Sequence, residues 1–63
     1  MQIVIDYDRD NIDNCKIKMD DDISPSEAVV VLSHAISKLA GSEDLENELV
    51  LLGIERMSLN GQI

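Results

Sequence analysis

The segment Ile23-Ser24-Pro25-Ser26-Glu27, with the largely apolar run Ala28 to Ala40 behind it, limits the fold of this chain more than any other stretch. Ser24 is a residue type whose hydroxyl caps a helix. Pro25 falls at the first helical position, where a missing N–H is tolerated. Glu27 stands three residues after the cap, within reach of the Ser24 N–H. Ile23 and Ala28 have the spacing of a hydrophobic staple. Such a start fixes the phase of the helix that follows. On a wheel of about 100° per residue, Ala28, Val29, Leu32, Ala35, Ile36, Leu39 and Ala40 share one arc, while Ser26, Glu27, Ser33, His34, Ser37 and Lys38 lie opposite. The spacing predicts a helix over 25–40 with the first set facing the core. Val30 falls among the polar residues and Val31 at the border.

The segment before this helix alternates. Ile3, Ile5 and Tyr7 point one way and Gln2, Val4 and Asp6 the other. Cys15, Ile17 and Met19 against Lys16, Lys18 and Asp20 repeat the pattern. The polar stretch Asp8 to Asn14 between them is turn-forming, so residues 2–20 read as a β-hairpin. Its outer face sets Lys16 and Lys18 against Asp6 and Asp20.

Gly41 closes the first helix, and Ser42 starts a second over 43–59, with Glu43, Asp44 and Glu46 in its first turn matching the helix dipole. Gly53 is a weak point inside it, at about 1 kcal/mol against Ala. A stop there followed by an extended tail is the alternative. This helix carries two apolar stripes. Leu45, Leu49, Leu52 and Leu59 line one side. Val50, Ile54 and Met57 line another, more than about 100° away. A chain of 63 residues has little to cover both.

The expected fold is therefore α+β, a single ββαα domain over 1–63 in which the N-terminal β-hairpin packs on a C-terminal helical hairpin. Ile3, Ile5, Ile17 and Met19 are expected to meet Ala28, Leu32, Ala35, Leu39, Leu45, Leu49 and Leu52. The uncovered stripe Val50, Ile54 and Met57, joined by Val30, is expected to mediate self-association as a homo-oligomer.

The net charge of −8 divides into −4 over residues 1–22, zero over 23–41 and −4 over 42–63. Five basic residues and a single aromatic, Tyr7, are too few to displace counterions from nucleic acid or to stack on its bases. The same charge is repelled by anionic lipid. No apolar run approaches the ~20 residues needed to span a bilayer. The initial Ile3-Val4-Ile5 is closed by Asp6, unlike a secretory signal, and the lone Cys15 suits a reducing compartment, so a cytoplasmic location is expected. Acidity serves solubility in the first instance. The alternative is a basic protein partner: Asp8, Asp10 and Asp13 would form an acidic surface mimicking nucleic acid, in the manner of phage or mobile-element inhibitors.

Signals for chemistry are weak. Asp6-x-Asp8-x-Asp10 opens like a calcium loop, but Asn11 replaces the glycine, Ile17 replaces the bidentate Glu, and no helix precedes it. His34, on the polar arc near Glu27 and Lys38, has no second ligand at a zinc spacing. Ser33 and His34 are adjacent on a helix and do not face each other. No catalytic, cofactor or metal residue is assigned, and the chain reads as a non-enzymatic interaction or regulatory protein.

Overall fold

The computed structural model describes residues 1–61 and has the element order ββαα, an α+β arrangement as expected. Strand β1 (Ile3–Asp8) pairs antiparallel with β2 (Asn11–Met19), and helices α1 (Pro25–Ala40) and α2 (Glu43–Leu59) follow.

The expected seven-residue loop is mostly strand. Arg9 and Asp10 make the turn, where Asp8 Oδ1 accepts the Asp10 N–H at 2.9 Å. Ile3 pairs with Met19, Ile5 with Ile17 and Tyr7 with Cys15, and the register then slips so that Asp8 pairs with Asn11. Residues 12–14 are the surplus of that irregularity, which lets a tight turn and the main register coexist. The apolar side chains share one face, as the alternation implied. On the other face Asp6 does oppose Lys16, but Lys18 opposes Val4 rather than Asp20. Asp20 is occupied instead with the Gln2 N–H, which donates to its Oδ2 at 3.1 Å and holds the open end of the hairpin together.

Helix α1 starts and stops where its caps dictate. The Glu27 N–H donates to Ser24 Oγ at 3.2 Å, and Pro25 sits in the first turn. Gly41 adopts φ 68°, ψ 30°, and the N–H groups of Gly41 and Ser42 donate to the carbonyls of Lys38 and Ser37. That left-handed residue is where glycine is the preferred choice. Helix α2 runs through Gly53 to Leu59. Ser42 is extended but makes no side-chain cap bond, contrary to expectation. The three acids in the first turn complement the helix dipole there.

The largest departure is the phase of the two helices. Ser33 and Ser37, expected in water, are 4% and 7% exposed, whereas Leu39, expected in the core, is 90% exposed. Val29 of α1 approaches Gly53 of α2, and the buried Ser33 and Ser37 and half-buried Ser26 lie on the same side of α1 as Val29, about a quarter turn from its most apolar arc. Helix α2 answers with Glu46, Val50, Gly53 and Met57, which recur at spacings of four, three and four and so share one side. Small residues allow this seam to close. A Cβ on Gly53 would stand 2.5 Å from Val29 Cγ1. The serines carry no polar penalty there, because Ser33 Oγ donates to the Val29 carbonyl at 2.6 Å and Ser37 Oγ to the His34 carbonyl at 2.9 Å.

The expected core is consequently dispersed. Only Ile23, Ala28 and Met57 are buried among the apolar residues described, and Ile5, Ile17, Met19 and Leu52 are exposed along with Leu39. The strands contact each other and the helices contact each other, but hairpin and helices meet sparsely. Their meeting place is a groove of about 310 Å³ where Met1 and Ile3 face Ile23, Val31, Leu32 and Ala35.

Candidate interaction surface

Two apolar faces remain bare. The first is the inner face of the hairpin. Ile5, Tyr7, Cys15, Ile17 and Met19 are all exposed, Ile17 at 53%. The reverse face carries Gln2, Val4, Asp6, Lys16 and Lys18, so the sheet has one apolar and one polar side.

The second face belongs to the helical hairpin. On α1, Leu32, Ile36 and Leu39 stand about 100° from the seam. On α2, Leu45, Leu49 and Leu52 stand a similar angle from their own seam stripe. Because α2 runs antiparallel to α1, the two rotations bring both sets to the same side of the pair. Leu32, which lines the groove with Met1 and Ile3, is half-buried, as are Leu45 and Leu49, whereas Ile36, Leu39 and Leu52 are exposed. Leu59 and Leu51 add exposed apolar surface towards the end of α2.

The total accessible surface is 5275 Å². A folded monomer of 7.0 kDa is expected to expose about 4,000 Å². The excess, about 1,200 Å², exceeds the ~800 Å² that each partner contributes to a standard protein–protein interface. The radius of gyration agrees, at 12.6 Å against about 10.6 Å for 63 residues.

The expected self-association residues occupy a different place. Met57 is buried, Val50 and Ile54 are half-buried at the α1–α2 seam, and Val30 alone of the four is exposed, at 45%. On the leucine stripe of α2, Leu52 and Leu59 are exposed, whereas Leu45 and Leu49 are half-buried as Val50 and Ile54 are.

Asp8 and Asp10 flank the hairpin turn and Asp13 lies in the irregular part of β2, all three exposed. His34 does not turn to Glu27 or Lys38. Its Nδ1 meets Glu46 Oε1 across the helices at 2.5 Å, the one contact between a basic and an acidic side chain closer than 4 Å among the described residues. Both groups stay partly in water, so the pair is a modest clamp on the closed end of the helical hairpin. Among the described residues no cluster of three or more His, Cys, Asp or Glu is gathered for a metal, and no helix is long and apolar enough to cross a membrane.

No protein-family model, curated protein or solved structure matches this chain.

Proposed function

We propose that this chain is a small acidic interaction protein that acts through protein–protein contacts, as a homodimer, and performs no catalysis. The observation that carries this reading is the bare apolar surface on both the hairpin and the helical pair, together with an accessible area larger than a closed monomer needs. A chain of this length with three buried apolar residues among those described has little internal stabilisation, and association is the usual remedy. The non-catalytic part is supported by how the polar groups are used. The Ser33 and Ser37 hydroxyls are turned to their own helix backbone, and His34 is held by Glu46. Neither serine has an imidazole aimed at it.

Sedimentation equilibrium at micromolar concentration tests the reading. The expected mass is twice that of the chain. A folded monomer at that concentration would overturn the homodimer and leave the apolar faces to a different protein.

A further inference from the structure

We propose that the dimer is reciprocal: the apolar face of each β-hairpin lies over the leucine face of the other chain's helical hairpin, about a two-fold axis. This inference rests on the homodimer reading and assigns its interface.

Two antiparallel strands with one apolar face are marginal in water unless a helix or further strands pack against that face. Here one face is apolar and the other polar, so a single covering layer suffices. Within the chain that layer is missing beyond the groove at Met1 and Ile3, because Ile5, Tyr7, Ile17 and Met19 are exposed. The helical pair has the converse need. Ile36, Leu39 and Leu52 form a face with nothing over it.

Each chain therefore offers one uncovered sheet face and one uncovered helix face. A two-fold axis pairs surface i of one copy with surface j of the other and j with i. Reciprocal pairing leaves neither kind of face bare. A sheet-to-sheet or helix-to-helix dimer leaves two faces in water. The excess area of about 1,200 Å² per chain is of the size that such a two-part interface would remove. Ile36, Leu39, Leu45, Leu49 and Leu52 carry no charge and the exposed Arg56 continues their stripe on α2, while of the hairpin's acids Asp6 lies on the polar face, Asp8 and Asp10 flank the turn and Asp13 lies in the irregular part of β2, so the one charge at the leucine face is opposite in sign to the hairpin's acids.

Cys15 provides a native probe, because it sits opposite Tyr7 on the apolar face of the hairpin and is exposed. The wild-type chain is mixed with a tagged chain carrying Cys15→Ser and Leu39→Cys, and separately with one carrying Cys15→Ser and Leu52→Cys. Both new cysteines replace exposed leucines, and circular dichroism checks that each variant folds. Under mild oxidation, the expected major product at one or both positions is the mixed disulfide, in severalfold excess over disulfides between identical chains. Sedimentation equilibrium is run in parallel. A dimer in which Cys15 joins Cys15, or in which neither position joins Cys15, overturns the reciprocal arrangement and spares the homodimer. A folded monomer overturns both. A chain holding Cys15 together with Leu39→Cys or Leu52→Cys that forms only an internal disulfide means the hairpin closes on its own helices, and also overturns the proposal.

Discussion

At Gly53 helix propensity and packing pull in opposite directions. Exchanging a helical glycine for alanine ordinarily gains about 1 kcal/mol. Here the added Cβ would stand 2.5 Å from Val29 Cγ1, and the β-branched Val29 side chain has little rotamer freedom with which to move aside. Overpacking of this kind costs about 1–3 kcal/mol, so Gly53→Ala is expected to be net destabilising by about 1 kcal/mol in urea unfolding. Val29→Ala combined with Gly53→Ala should recover most of that loss, giving a coupling energy in a double-mutant cycle. Ser33 poses a similar question of size. Ser33→Ala removes a hydroxyl that bonds only its own helix and is expected to stay within about 0.5 kcal/mol of wild type. Ser33→Leu should be destabilising by roughly 1–3 kcal/mol, since the seam has no room for it. These residues also mark what was hidden in the sequence. Serine counts as polar on a wheel, and nothing in the string shows that its proton returns to a carbonyl four residues back. Gly53 looks like a defect until its neighbour is known.

The elements themselves were legible, because their ends are decided by neighbours in sequence. Ser24, Pro25 and Gly41 act within a few residues, and the limits of α1 fall where they direct. The strands follow from a period of two that survives the irregularity after Tyr7. What a helix turns towards is a tertiary matter. The apolar wheel gives the richest arc of α1, but Ser33 and Ser37 beside that arc are buried while Leu39 within it is exposed, and Val29 meets the glycine of α2. The acidic residues are a local matter: Asp8, Asp10 and Asp13 are all exposed towards the turn end of the hairpin. The two helix starts give a paired prediction. Ser24→Ala should cost about 1 kcal/mol, because the Glu27 N–H loses its partner. Ser42→Ala should be close to neutral, because that side chain makes no cap bond. Denaturation of both at one fixed chain concentration checks the contrast, since association would otherwise shift the midpoint.

At the scale of the whole molecule, charge and apolar surface act against each other. Each chain carries −8, so a homodimer brings two strongly acidic bodies together and opposes its own assembly. Burial of the bare faces must exceed that repulsion. Salt changes the two contributions differently. Raising ionic strength from about 0.01 M to about 0.15 M shortens the screening length from ~30 Å to ~8 Å, which weakens repulsion between exposed carboxylates on opposite chains. The hydrophobic contribution is not screened in this way. The proposed dimer is therefore expected to tighten as salt is added over this range, with a lower dissociation constant in sedimentation equilibrium. Its thermal midpoint should rise with chain concentration at either salt, as linkage requires of an associating fold. Replacing Asp8, Asp10 and Asp13 together by Asn should reduce the salt effect while leaving the fold intact, because the three side chains are solvated and an Asn at position 8 keeps an oxygen for the Asp10 N–H. Attraction between carboxylates and a basic protein has the opposite sign and weakens with salt. A self-association constant that falls as salt rises would therefore mean that ion pairs, not the leucine and hairpin faces, hold the two copies together.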